Sequence, residues 1–123
     1  MALIAVIDDD IDIREASELV LTSKGYKVIT ANNPKDGYDI IIKNKPDLII
    51  LDVMMDEPDD GFFLAQKLRR NKVTTPIIMY TSVSKAVGMD FGASSMVPVD
   101  DFVEKPITPE LLIQKVELFL NKK

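Results

Sequence analysis

The chain has 123 residues, 46% of them hydrophobic and 28% charged, and its formal net charge is −5. This length suffices for one domain with a substantial core, and the negative charge argues against nucleic acids and anionic membranes as partners. Cysteine and histidine are absent, which excludes disulfides, thiolate metal sites and a histidine general base. A bound metal is therefore expected to be a hard cation with oxygen ligands. No signal peptide or membrane span is recognisable, so we expect a cytoplasmic protein.

The first elements are a strand, a helix and a second strand. Leu3–Ile7 is an apolar run that predicts a strand, and three aspartates follow it. Apolar residues near helical spacing predict a helix over Ile11–Lys24, with Gly25 as its terminator. Its apolar positions are Ile11, Ala16, Leu19 and Val20. Tyr26–Ala31 is rich in β-branched residues and predicts the second strand.

The middle of the chain continues this alternation. Asn33 is a predicted N-cap, and it opens a helix over Pro34–Asn44. Leu48–Leu51 is an unbroken apolar run, typical of a strand covered on both faces, and it ends on Asp52. A third helix is predicted after Gly61, with Phe62, Phe63, Leu64, Ala65 and Leu68 as its apolar residues.

Two further strands and a helix complete the predicted elements. Pro76–Tyr80 predicts the fourth strand and Phe102–Glu104 a short fifth one. Thr108 is the predicted cap of a last helix. The apolar stripe of that helix comprises Leu111, Leu112, Val116, Phe119 and Leu120.

Polar residues follow four of the five predicted strands. Asp8 and Asp9 follow the first strand, Asp52 the third, Thr81 the fourth and Lys105 the fifth. In the flavodoxin-like strand order 2-1-3-4-5, these strand ends meet at the crevice between the first and third strands. The sequence therefore predicts an α/β fold: a doubly wound, five-stranded parallel sheet with helices on both faces. Its crevice would hold three carboxylates, a hydroxyl and an ammonium group.

This combination of groups predicts phosphoryl transfer. Three close carboxylates repel one another unless a cation lies between them, and Mg²⁺ suits carboxylates, water and a phosphate oxygen. Lys105 and Thr81 then remain as donors to an anion, and Asp52 as the nucleophile that forms an aspartyl phosphate. The ordinary alternative is that Asp8 or Asp10 caps the first helix, while Thr81 and Lys105 are common strand-end and surface residues.

Four motifs in this order resemble the response-regulator receiver domain of bacterial two-component signalling, of the chemotaxis-receiver kind. The motifs are Asp8-Asp9, Leu51-Asp52-Val53-Met54-Met55, Tyr80-Thr81-Ser82, and Phe102 with Lys105-Pro106. Each motif alone is weak. Together, at successive strand ends, they are specific, and the resemblance covers essentially the whole chain.

The resemblance implies a phosphoacceptor and a metal site. Asp52 matches the phosphoacceptor and is also a Mg²⁺ ligand. Asp9 matches the acid that binds Mg²⁺ directly, and Asp8 the acid that acts through water. The backbone carbonyl of Met54 matches a further ligand.

The resemblance also implies a phosphoryl-binding set and a switch. Thr81, the backbone N–H of Ser82 and Lys105 match the groups that bind the phosphoryl oxygens. Thr81 and Phe102 match the switch pair, although Phe102 alone would be an ordinary core aromatic. Pro106 matches a cis proline. Phosphorylation would then favour an active conformation of the fourth and fifth βα units.

The expected partners follow from the same resemblance. A histidine kinase or phosphotransfer protein would be the phosphodonor, and an unidentified protein the target, with no nucleic acid or membrane involved. The protein would be a monomer or weak dimer and not an enzyme, apart from its own phosphorylation and dephosphorylation. No output domain follows the last helix, so docking to another protein is the expected output unless the chain was cut from a longer one.

Departures from the family pattern keep an alternative open, namely a receiver-fold interaction module that does not depend on phosphate. Asp56 stands where the family has proline, and the Gly61 turn comes about one residue late. Segment 82–101 is interrupted by glycines and a proline, which predicts a short or irregular helix there. Two other classes fit less well. A haloacid-dehalogenase-type enzyme would need an acid at Met54, and the three aspartates after the first strand would repel a flavodoxin-type phosphate.

Overall fold

The computed structural model describes residues 2–52, 60–82, 100–105 and 108–120, except for the side chains at 62, 81, 82, 102, 104 and 105. The predictions for the carbonyl of Met54, the acidic loop at Asp56, the helix within 82–101 and the cis peptide at Pro106 lie outside these residues. Among the described helices, none is long and apolar enough to cross a membrane.

Strands and helices alternate along the described chain as predicted as far as β4, and residues 83–99, between β4 and β5, lie outside the description. The strands are β1 (Leu3–Ile7), β2 (Lys27–Ala31), β3 (Leu48–Asp52), β4 (Ile77–Ser82) and β5 (Asp101–Lys105). The helices are α1 (Ile11–Ser23), α2 (Pro34–Asn44), α3 (Asp60–Arg70) and α4 (Pro109–Leu120).

The strands form one parallel sheet in the order β2-β1-β3-β4-β5, which confirms the predicted fold class. Three strands run further than predicted at their carboxyl ends. β3 includes Asp52, which pairs with Tyr80, and β4 reaches Ser82, which pairs with Lys105. These extensions depend on a neighbouring strand, and local sequence carries no signal for them.

Each face of the sheet packs against two of the described helices, so that β3 is buried on both sides. One layer combines Ile7, Leu51 and Met79 of the sheet with Ile41 of α2 and Leu64, Ala65 and Leu68 of α3. The other combines Val6, Ile50 and Tyr80 with Leu21 of α1 and with Leu112 and Val116 of α4. This double coverage explains the unbroken apolar run of β3.

The buried face of α1 differs from the predicted one. Ile11 and Leu19 are 54% and 72% exposed, and Ala16 is exposed as well. The residues that face the sheet are Ile13, Ser17, Val20 and Leu21. They follow the i, i+4, i+7, i+8 spacing of one helix face, and the serine within it hid this face in the sequence. In α4, Leu111 is likewise exposed, whereas the other predicted stripe residues are buried or packed against the sheet.

Three of the predicted helix-end residues are confirmed, whereas α3 begins at Asp60 and not after Gly61. The Asn33 side chain accepts a hydrogen bond from the backbone N–H of Asp36 at 2.8 Å, as an N-cap does. The Thr108 hydroxyl accepts one from the N–H of Leu111 at 3.1 Å. After α1, Gly25 adopts a φ of +90°, and its N–H bonds the carbonyl of Thr22. Glycine suits this left-handed position at a helix end.

Candidate functional site

The sheet register brings Asp8 and Asp52 together. Ile7 of β1 pairs with Leu51 of β3. The residues that follow them, Asp8 and Asp52, are therefore neighbours. Both carboxylates lie at the carboxyl edge of the sheet, Asp52 at the end of the central strand β3 and Asp8 after the neighbouring strand β1. Asp9 follows Asp8 directly and is exposed to solvent. Three of the predicted site residues are therefore close neighbours.

The three carboxylates form a compact oxygen cluster. One oxygen from each of Asp8, Asp9 and Asp52 lies within 4.8 Å of the others. Asp8 is 1% exposed and Asp52 3% exposed, so water screens their charges poorly. Buried carboxylates need a compensating charge or hydrogen bonds. Hard oxygen donors at this spacing fit a Mg²⁺ ion that binds some of them directly and another through water.

The Asp8 residue is fixed from three directions. Its N–H donates to the carbonyl of Ala31 at the end of β2, at 3.1 Å. Its Oδ1 accepts from the N–H of Asp10 at 2.9 Å, and its carbonyl oxygen accepts from Nη1 of Arg14 at 2.8 Å. The loop between β1 and α1 thus holds Asp8 in one position.

Asp10 has a different task from its two neighbours. Its side chain accepts hydrogen bonds from the N–H groups of Asp12 at 2.9 Å and Ile13 at 3.3 Å. Asp10 is therefore the N-cap of α1, as one of the two capping alternatives predicted. The same run of three acids supplies both a helix cap and members of the oxygen cluster.

The backbone places the predicted phosphoryl-binding residues at the same edge of the sheet. Asp52 pairs with Tyr80, so Thr81 and Ser82 lie just beyond it on β4, and Lys105 pairs with Ser82 from β5. Their side chains, and that of Phe102, lie outside the part of the chain that the structure describes. The roles predicted for these side chains stay predictions.

Two buried polar residues beneath the cluster had no place in the predicted site. Ser17 of α1 and Tyr80 of β4 face the same apolar layer, and they are 5% and 1% exposed. Burial raises the pKa of Tyr80 above its usual value; the nearby Ser17 side chain lowers it in part, and the charge of Asp8 raises it. Among the described residues, the Tyr80 hydroxyl has no hydrogen-bond partner at standard distance. In the sequence Tyr80 ends the apolar run of β4, but no sequence pattern identifies its neighbours.

Comparison with known proteins matches the whole fold to one family. The model of the response regulator receiver domain matches residues 4–117. The chain is 34% identical over 125 residues to the phosphate regulon transcriptional regulatory protein PhoB of Pseudomonas aeruginosa, with 97% of this chain and 52% of that protein covered. It is 36% identical over 126 residues to the transcriptional regulatory protein AfsQ1 of Streptomyces coelicolor, with 99% and 52% covered.

Solved structures agree with this assignment. The chemotaxis protein CheY4 of Vibrio cholerae superposes with a TM-score of 0.83 at 30% identity, over 98% of this chain and 99% of that one. A two-component response regulator from Clostridium difficile gives a TM-score of 0.86 at 30% identity, over 99% and 98%.

The chain therefore belongs to the response-regulator receiver domains, as its motifs predicted. It spans about half the length of PhoB and AfsQ1, 52% of each. Receiver domains of this family bind Mg²⁺ through acidic residues, and the cluster of Asp8, Asp9 and Asp52 lies where such a site is expected.

Proposed function

We propose that this receiver domain accepts a phosphoryl group on Asp52 in a Mg²⁺-dependent reaction and thereby controls a protein partner. The observation that carries the proposal is the oxygen cluster, because Asp52 shares it with Asp8 and Asp9 within 4.8 Å. A nucleophilic carboxylate so close to two others needs a cation beside it before a phosphate dianion can approach.

The three aspartates have different proposed roles, according to their surroundings. Asp9, exposed at the rim, would bind Mg²⁺ directly together with Asp52, and the fixed carboxylate of Asp8 would hold a water of the ion. The backbone carbonyl of Met54 is the further ligand that we propose. When bound, Mg²⁺ supplies positive charge to the oxygens of the transferring phosphoryl group. Asp52, held at the end of β3, attacks phosphorus in line with the leaving group. The P–N bond of a phosphohistidine donor, or the P–O bond of acetyl phosphate, breaks as the new O–P bond forms.

The remaining proposed groups act on the phosphoryl oxygens and on the conformation. Lys105 pairs with one phosphoryl oxygen, and Thr81 and the backbone N–H of Ser82 donate to others. Phe102 changes packing when Thr81 moves, and Pro106 is the proposed cis proline next to Lys105. The result is a population shift in the fourth and fifth βα units.

Partners belong to the same proposal. A histidine kinase or a phosphotransfer protein supplies the phosphoryl group, and a protein target reads the shifted conformation. The alternative function is an interaction module of the same fold that works without phosphate.

Labelling by a small phosphodonor separates the two functions. With acetyl phosphate and Mg²⁺, the wild type should gain the mass of one phosphoryl group, stable in acid and labile in base. Asp52→Asn should gain none, whereas the control Glu18→Gln, which removes an exposed acid of α1 outside the cluster, should label like the wild type. Labelling of Asp52→Asn would refute the assignment of the nucleophile, and an unlabelled wild type would favour the interaction module.

A further inference from the structure

The contact that suggests a further role is made by Arg14, which the family motifs above do not include. Its Nη1 donates to the backbone carbonyl of Asp8 at 2.8 Å, reaching back six residues from α1 to the loop. That carbonyl belongs to the peptide group that joins Asp8 to Asp9. The guanidinium therefore holds the peptide group that carries the backbone N–H of Asp9.

Asp9 depends on its backbone more than its neighbours do. The Asp8 carboxylate accepts from the N–H of Asp10, and the Asp10 carboxylate caps α1. Within the described residues, no group donates to the Asp9 carboxylate, and this side chain is exposed. Of the groups around Asp9, the peptide bond before it is thus the one that a described side chain, Arg14, holds in place.

The surroundings of Arg14 favour this placement. One side of its side chain lines an open cleft of about 390 Å³ between β2 and α2, together with Asn32, Asp36 and Asp39. Two carboxylates on that wall favour a cation nearby. The helical N–H of Arg14 also bonds the carbonyl of Asp10 at 2.9 Å, which ties the base of the side chain to the same loop.

We propose that Arg14 is a positioning residue: it fixes the Asp8–Asp9 peptide and thereby aims the Asp9 carboxylate at the metal. This inference rests on the proposed Mg²⁺ site. Removing a group that orients a metal ligand typically weakens metal affinity by about tenfold or more. Because Arg14 is partly exposed, we expect a loss at the lower end of this range.

The test is calorimetric titration of the unphosphorylated protein with Mg²⁺. Arg14→Met keeps the aliphatic packing and removes the donor, so Mg²⁺ should bind roughly tenfold more weakly. Arg14→Lys, which keeps a charge and a donor, should recover most of that loss. The matched control is Arg69→Met. The Arg69 guanidinium also donates to backbone carbonyls, those of Val73 and Thr75 at 2.8 Å each, but at the loop after α3. The control should leave Mg²⁺ affinity unchanged.

A double-mutant cycle decides whether Arg14 acts through Asp9. In an Asp9→Ala background, Arg14→Met should add less than about twofold, because the ligand it positions is gone. An Arg14→Met protein with wild-type affinity overturns the inference, as does a full additional loss in the Asp9→Ala background. If Arg14→Met does not fold at 25 °C, Arg14→Gln takes its place under the same criteria. If Asp9→Ala itself leaves Mg²⁺ affinity unchanged, the proposed metal site fails, and the inference fails with it.

Discussion

Replacing Asp52 by asparagine should stabilise the fold when no Mg²⁺ is present. Asp8 and Asp52 are buried at adjacent strand ends, and Asp8 is held there by hydrogen bonds to three other residues. Neither carboxylate can move far from the other without disrupting the sheet. Their repulsion is therefore a cost that the folded state bears and the unfolded chain does not.

The distances within the cluster set the size of the effect. Two unit charges 4.8 Å apart repel by about 3.5 kcal/mol at an effective dielectric of 20, and by about 0.9 kcal/mol in bulk water. The first value applies to the buried pair and the second to exposed Asp9. Asp52 also has interactions of its own, which an amide would weaken. We therefore expect a net stabilisation of about 1–2 kcal/mol, or a rise in the melting temperature of roughly 4–8 °C.

Thermal and urea unfolding with EDTA and with Mg²⁺ provide the assay. Mg²⁺ at ten times its Kd should stabilise the wild type by about 1.4 kcal/mol, and Asp52→Asn by much less, so the gap between them closes. Glu18→Gln is the control for a lost carboxylate outside both the cluster and the cleft beside Arg14, and it should respond to Mg²⁺ like the wild type. An Asp52→Asn protein that is less stable than the wild type in EDTA, and that gains as much from Mg²⁺, would refute this reasoning.

Three further predictions use single substitutions. Asp9→Ala should weaken Mg²⁺ binding severely, whereas Asp10→Ala should cost only about 1 kcal/mol of stability as a lost helix cap; calorimetry showing the reverse order would contradict the assignment. Gly37→Ala should destabilise by about 1–2 kcal/mol, because the new Cβ would lie 2.8 Å from Cγ2 of buried Ile7, and urea unfolding measures this. Tyr80→Phe should change stability little at pH 7. Above pH 10 it should lose stability less steeply than the wild type, in which unfolding lets the Tyr80 phenol ionise at up to about 1.4 kcal/mol per pH unit; equal slopes would contradict the buried neutral phenol.

The parts of the fold that depend on local sequence signals were predicted correctly. Apolar runs, Asn33-Pro34 and Gly25 predicted element order and helix ends, because capping and backbone strain act within a few residues. Of the four apolar positions predicted for α1, only Val20 packs against the core, since Ser17 occupies a position of the buried face that periodicity reserves for an apolar residue. Strands were predicted too short at their carboxyl ends, because pairing such as that of Ser82 with Lys105 joins distant parts of the chain.

The sequence predicted which strand ends carry the candidate site residues. Parallel strands must bring their carboxyl ends to one edge, so the cluster of Asp8, Asp9 and Asp52 followed from order alone. The hydrogen bond from Arg14 to the Asp8 carbonyl did not follow, because it depends on the path of one loop and one rotamer. Contacts of that kind have no periodic signature.

Charge and position make separable contributions to this cluster. Asp52→Asn removes a charge but leaves the loop held by Arg14, so it should raise stability in EDTA. Arg14→Met leaves all three carboxylates but frees the peptide before Asp9, so it should lower Mg²⁺ affinity without relieving the repulsion between the buried pair. Asp52→Asn should therefore raise stability in EDTA and lower Mg²⁺ affinity, whereas Arg14→Met should lower Mg²⁺ affinity without raising stability. If both altered the two quantities in fixed proportion, a single electrostatic effect would account for them, and Arg14 would act through its charge alone.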